Sequence, residues 1–564
     1  MRRIAAALFV LGLVSPAHAQ TTGQVSAPRP ALPPRDNPTT PTGTAAMRGR
    51  ITNADGAPLR RAMVTVFAPE ISVRRLVTTD DEGRWEMTEL PAGRYTIAAT
   101  KGSYVPLQYG QRRPFEPGRP VAVADGQTLE RLDIALPAGS VIAVTVTDQF
   151  GEPMAGVQGN LQRYQFRPDG KRTLSGVPNG FFTTDDRGQF RAYGLMPGEY
   201  IISASMRPSF NIQAPTAGRD AADGYATTYY PGTTNPQDSQ GVSVGLGEEK
   251  PITFPMVSTR MVKVSGVVTD SQGRPAAGAE LSLSISTGGG VRFVSGTNVA
   301  TDGTFSAANI PPGSIRLDVR GIASGFGDPP EFASVPLTVA ASDISGLKVT
   351  LDPPHTILGT IVFDGTASRA GAMPIRVNAV TASGEPGMFF YEPNNGLVDA
   401  DGRFEIRGAS GDVLLRAQLP PQWMIRSVTV DGMDITDEPL NVTAQETING
   451  VIVTLTDRLP DVSGSVTNAR GEPVKEYGVV IVPAEEKSGM VQTRYVRVGR
   501  PDQDGRFDVR GLPPGSYYAA AVEMHEQGRE WDPEYQRSIR QSGRPFTLRE
   551  GDTVSLQLKL TSIQ

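Results

Sequence analysis

Five glycines set the architecture of this chain. Each closes an aspartate-rich turn and is followed two residues later by an aromatic: Thr79-Asp-Asp-Glu-Gly83-Arg-Trp85, Thr184-Asp-Asp-Arg-Gly188-Gln-Phe190, Thr301-Asp-Gly303-Thr-Phe305, Asp399-Ala-Asp-Gly402-Arg-Phe404 and Asp502-Gln-Asp-Gly505-Arg-Phe507. The glycines stand 105, 115, 99 and 103 residues apart. That period is the length of one domain, so the 564 residues divide into a tandem array rather than one large core. Aspartate accepts local backbone N–H groups and glycine takes positive φ without steric cost. The strand that follows turns its aromatic and the residue two further on toward one face, as in Trp85/Met87, Phe404/Ile406 and Phe507/Val509.

Two more patterns flank these turns. Gly49-Arg-Ile-Thr-Asn-Ala-Asp-Gly56-Ala-Pro58 returns as Gly266-Val-Val-Thr-Asp-Ser-Gln-Gly273-Arg-Pro275 and Gly464-Ser-Val-Thr-Asn-Ala-Arg-Gly471-Glu-Pro473. The second repeat keeps Val144 to Pro153 without the leading glycine, and the fourth keeps only Gly359-Thr-Ile-Val-Phe-Asp-Gly365. Asx followed by Gly between alternating apolar runs predicts a hairpin. Leu90-Pro-Ala-Gly93, Leu195-Met-Pro-Gly198, Ile310-Pro-Pro-Gly313 and Leu512-Pro-Pro-Gly515 then open a further strand, because Pro presets φ and Gly permits the reversal. The 62 glycines and 47 prolines disfavour helix interiors throughout. The fold expected is all-β: about five tandem antiparallel β-sandwich modules of the prealbumin or immunoglobulin kind, at 46–137, 138–258, 259–353, 354–458 and 459–564. The fourth is degenerate, with Ser410-Gly411 in place of the Pro-Gly turn. A short helix is expected only at Asp532 to Ser542.

The succession G-x-V-x-D-x-x-G-x-P, T-D-x-x-G-x-F and L-P-P-G-x-Y resembles the carboxypeptidase regulatory-like domain, itself similar to transthyretin-like, collagen-adhesin B-type and starch-binding-like sandwiches. The resemblance covers roughly residues 46 to 562. It implies a folding aid, a spacer or a binding surface, and no reaction. Some collagen-adhesin-type relatives carry a Lys–Asn crosslink; the first strands here offer Lys263 only, and none is expected.

Met1-Arg2-Arg3, the apolar run Ile4 to Val14 and Ala17-His18-Ala19 read as a secretory signal peptide over 1–19. The run is too short for a membrane span, which takes about 20 apolar residues. Residues 20–45, rich in Pro and Thr, read as a disordered linker. An exported protein, periplasmic or secreted, without a membrane span is expected. The absence of cysteine excludes disulfides and thiolate metal sites. A net charge of −5, from 54 basic and 59 acidic residues spread along the chain, excludes a nucleic-acid surface. A monomer is expected.

A zinc carboxypeptidase needs a His-x-x-Glu pair and a distant His. Beyond the leader only His355 and His525 exist, in different modules and without that spacing. No enzyme, cofactor or metal is therefore expected. Asp80-Asp81, Asp185-Asp186, Asp399/Asp401 and Asp502/Asp504 offer hard oxygens, but they lack the bidentate Glu of a calcium loop and read as turn formers. Flat aromatics in the longer insertions are the candidates for stacking sugar rings: Tyr109, Tyr229, Tyr230, Trp531 and Tyr535, with Tyr104, Tyr225 and Phe389-Phe390-Tyr391 beside them. The competing reading is that they cover the open edge of their own module. The function expected is binding of carbohydrate or cell-envelope polymer; the alternative is a structural spacer or adhesin-type stalk that meets another envelope protein.

Overall fold

A computed structural model describes residues 41–68, 71, 73–111, 115–206, 223–286, 291–323, 325, 328–366, 375–382, 396–443, 447–486 and 494–562. The leader, most of the Pro-rich segment and Phe389-Phe390-Tyr391 lie outside the described residues.

The first module sets the plan. Its strands are β1 (Ala45–Asn53), β2 (Met63–Ala68), β3 (Val73–Thr78), β4 (Arg84–Leu90), β5 (Gly93–Thr100), β6 (Leu107–Gln108), β7 (Val121–Val123), β8 (Thr128–Leu129) and β9 (Ile134–Leu136). One sheet joins β4 to β1 and β1 to β8 and β9; the other runs β3-β2-β5, with β6 and β7 along β5. Alternation turns Trp85 and Met87 inward and leaves Arg84 and Glu86 outside. The inner faces enclose one cluster that includes Met47, Ile51, Trp85, Tyr95 and Leu136.

The same pairing recurs four times. Ser140–Thr147 pairs antiparallel with Gln189–Leu195 and parallel with Glu249–Pro255. Val262–Thr269 does so with Thr304–Ile310 and Ile344–Thr350, and His355–Asp364 with Arg403–Ala409 and Thr447–Thr456. In the last module Asp461–Thr467 pairs with Arg506–Arg510 and Thr553–Thr561. Separate hydrophobic clusters fall within 45–136, 142–256, 262–351, 357–455 and 462–558.

The chain is all-β in tandem modules, yet two local expectations change. First, the opening and closing strands of each module are parallel neighbours, so the sandwiches are not antiparallel throughout. The closing strand arrives by a crossover through the other sheet, as a parallel pair requires. Second, the Asx-Gly pattern turns the chain without building a hairpin of two long strands. Asn53 Oδ1 accepts the N–H of Asp55 and Ala57 at 3.1 and 2.8 Å, and Thr52 then bridges Pro58. One more bond follows, from the Leu59 N–H to the Ile51 carbonyl at 2.9 Å, and in the last module the same contact is a two-residue strand, Pro473–Val474, against Val466 and Thr467. Thr147–Pro153 and Thr269–Pro275 are equivalent bridges.

The aspartate turns tie one sheet together. Asp80 Oδ1 accepts from Glu82 and Arg84 N–H at 3.0 and 2.7 Å, and Gly83 takes φ +74°. The Gly83 carbonyl then accepts the Ile51 N–H at 2.7 Å, and those of Gly188, Gly303 and Gly402 accept from Val146, Val268 and Ile361. The Pro-Gly turn is locked from behind: Tyr95, Tyr200 and Tyr517 donate their hydroxyls to the carbonyls of Pro91, Met196 and Pro513 at 2.6–2.7 Å. Helix α1 (Pro533–Ser542) is capped by Asp532, whose carboxylate accepts the Glu534 N–H at 2.9 Å. It sets Tyr535 and Ile539 against Val480, Val482 and Val522.

Candidate functional site

The first aspartate of each paired turn is occupied by that turn. Asp185 and Asp502 each accept two backbone N–H groups through Oδ1, as Asp80 does. In the third module the turn has the same span, but Ala300 stands where the others carry the accepting aspartate; Asp302, two residues on, accepts the Thr304 hydroxyl and N–H, and those two bonds hold its carboxyl below the ordinary aspartate value. Among the described residues no group of three or more His, Asp and Glu side chains is arranged to hold a metal ion. His525 is buried, with Nε2 3.0 Å from Glu530 and Nδ1 3.5 Å from the Tyr535 hydroxyl, and His355 is a second buried side chain in another module.

The stacking candidates sit against protein. Tyr229 is 4% exposed and packs with Leu174, Ile201 and Tyr164; burial pushes its hydroxyl pKa upward. Tyr535, on the inner face of α1, is 2% exposed, and burial raises its hydroxyl pKa to about 12. Neither ring has a face free for a sugar, which corrects the expectation for these two residues: both rings turn in against the sheet of their own module. Tyr109 packs on the first core. Tyr230 meets Phe254 edge-on at 6.0 Å between ring centroids. Trp531 joins Tyr535 on the cluster under α1. Tyr229 and Tyr230, though adjacent, belong to different clusters.

The insertions also pack on one another. The first module's insertion, between β6 and β7, carries Phe115, Glu116 and Arg119 to the last module. Glu116 accepts Arg500 Nη1 at 2.8 Å, with side chains 8% and 5% exposed, and Arg500 also donates to the Tyr477 carbonyl at 2.9 Å. Arg119 pairs with Glu476. Arg94, on β5, pairs with Asp508 at 3.0 Å. The Phe115 carbonyl accepts the Gln527 N–H at 2.9 Å, and its ring lies 3.4 Å below the guanidinium of Arg163 in the second module. Arg163 reaches Glu526 at 3.1 Å, and Gly170 sits beside Trp531 and Pro533. The end of the chain thus closes on its first two modules.

Sequence reasoning passed over these residues because isolated charges read as solvated. A signal was present: Arg494-Tyr-Val-Arg497-Val-Gly-Arg500 places three arginines in a stretch that no other repeat matches, and the insertions carry Glu116, Glu526 and Glu530. Among the described residues no helix is long and apolar enough to cross a membrane.

No curated protein matches the chain. Among solved structures it is similar to a streptococcal ancillary pilin, 15% identical over 55% of this chain and 99% of that one, with a TM-score of 0.21. The minor pilin of Streptococcus agalactiae is 14% identical over 38% of this chain and 95% of that one, at 0.21. The Bacillus anthracis TIE protein is 14% identical over 55% of this chain, at 0.16; the chain spans about half of that protein's length, 51%. The Carboxypeptidase regulatory-like domain family matches residues 46–137 and 263–352, the stretches that enclose the first and third cores. This chain is therefore a tandem array that carries carboxypeptidase regulatory-like domains.

Proposed function

We propose that the protein is an exported, non-catalytic binding platform of the cell envelope, and that its ligand is an envelope polymer. The observation that carries this reading is the closure of the last module on the first two through Glu116–Arg500, Arg119–Glu476 and Arg163–Glu526. A spacer or stalk gains reach by keeping its modules extended, whereas buried contacts between its ends shorten it and fix the modules relative to one another. A fixed surface lowers the ordering cost of binding a flexible polymer. The export step rests on the leader-like start, Met1 to Ala19. The non-catalytic reading is supported by the side chains themselves: both histidines of the modules are buried, and the turn aspartates accept backbone N–H groups.

The test is sedimentation of the purified full-length protein with insoluble envelope polymer, followed by assay of the supernatant for released fragments. Co-sedimentation without fragments is expected. It should weaken in Glu116→Lys, which sets two cations against each other and opens the closure. Fragment release would overturn the non-catalytic reading. Failure to co-sediment would overturn the platform.

A further inference from the structure

Where the fourth and last modules meet, Arg416 and Arg494 converge on one fully engaged carboxylate, and Arg497 stands beside them. Asp437, in the fourth module, accepts Arg494 through Nε and Nη2 at 3.2 Å and the Tyr495 hydroxyl at 2.7 Å; Arg416 Nη2 approaches to 3.5 Å. Arg416 and Arg494 direct their remaining contacts to carbonyls, those of Leu415, Thr436 and Ile425, at 2.6–2.9 Å. Asp434 also feels the Arg494 charge, but its carboxylate is held by the Thr436 hydroxyl and N–H. Carbonyls satisfy donors without neutralising a cation, so the cluster keeps a positive excess.

Arg497 is the member left over. It lies on the strand Arg497–Gly499, next to Arg494 and Tyr517, and among the described residues its one hydrogen bond is from Nη1 to the Val496 carbonyl at 3.0 Å. Among the described residues no carboxylate lies within salt-bridge distance of it. Among the described residues its Nε and Nη2 have no hydrogen-bond partner, and neither is fully sealed from solvent. The residue is half-buried, and burial, with the repulsion of Arg494, holds its pKa below the ordinary arginine value. A partly desolvated guanidinium with free in-plane donors beside a second cation is the geometry that binds a two-oxygen acid group in bidentate fashion.

We infer that Arg497, backed by Arg494 and Arg416, forms an oxyanion-binding site at the junction of the fourth and last modules, and that it takes a carboxylate or phosphate group. This deepens the platform reading, on which its biological use rests: the polymer held would be acidic.

Calorimetric titration of the full-length protein at low ionic strength tests it, with inorganic phosphate in one arm and glucuronate in the other. One saturable site is expected in at least one arm, and the arm that binds identifies the group. Arg497→Gln should weaken binding at least tenfold with an unchanged circular-dichroism spectrum, since only a bond to a carbonyl is lost. Asp437→Asn removes the competing carboxylate and should tighten binding severalfold, the opposite of what a purely structural cluster would do. No heat in either arm, or binding indifferent to Arg497→Gln, overturns the site. Neither result depends on polymer sedimentation, so the two proposals fail separately.

Discussion

At the scale of the residue, the module core depends on a glycine facing an aromatic. Gly49, Gly266, Gly359 and Gly464 stand directly opposite Trp85, Phe305, Phe404 and Phe507 across the antiparallel pair. A Cβ on Gly464 would lie 1.9 Å from the Leu556 carbonyl oxygen and 2.9 Å from the Phe507 ring. The second module has Val144 opposite Phe190, and there the arrangement has moved to the other sheet. Phe190 is half-buried and stacks at 3.8 Å on Phe182. Phe182 in turn lies opposite Gly159, where an added Cβ would come within 1.7 Å of the ring. Gly464→Ala should therefore cost about 1–3 kcal/mol by overpacking. Gly471→Ala, at φ +83° with nothing within 4 Å of the new atom, should cost about 1 kcal/mol from backbone conformation alone. Urea unfolding of both variants checks the order; equal losses would mean that close approach does not explain the glycine.

At the scale of the element, the opening strand of the last module, Asp461–Thr467, begins with a carboxylate that its position disfavours. Burial first, and then the neighbouring Asp508 carboxylate, raise the Asp461 pKa to about 6, against the opposing pull of Arg510 and Arg94. The folded value lies above the ordinary 3.8, so the protonated form carries the stability. That contribution is complete below about pH 4 and is lost as pH rises through about 6. Asp461→Asn keeps the neutral form and should be more stable than the parent at pH 7.5, with the difference closing toward pH 4. Chemical denaturation at both pH values decides it, and parallel stability curves would refute the account. The strands themselves were legible, because alternation gives the buried face and the Asp-Gly and Pro-Gly turns give the ends. Their neighbours were not: alternation names a face without naming a partner or a direction, which is why the parallel pairing of first and last strands had to be seen. The aromatics misled for a related reason. Tyr229 as a core anchor and Tyr229 as a sugar platform have the same residue type, and only burial separates them.

At the scale of the whole molecule, the decisive contacts join residues hundreds apart in sequence, such as Glu116 and Arg500, and no local pattern announces them. Regular tandem arrays are stabilised by interfaces between successive units, whereas this chain adds interfaces from the last module to the first and second. Its modules should consequently lose independence: the first and last should unfold in one calorimetric transition. The buried ion pair is the place to break that coupling. Removing one partner leaves the other charge buried and uncompensated, a loss of about 3–5 kcal/mol, while replacing both by apolar residues of similar volume is often neutral. Glu116→Ala is therefore expected to split the transition, to raise the radius of gyration measured by X-ray scattering and to leave circular dichroism unchanged, since each module keeps its own core. The double variant Glu116→Leu, Arg500→Met should restore a single transition and the parent dimensions. A Glu116→Ala protein that unfolds and scatters as the parent does would mean that the ends of the array are not held together through this pair.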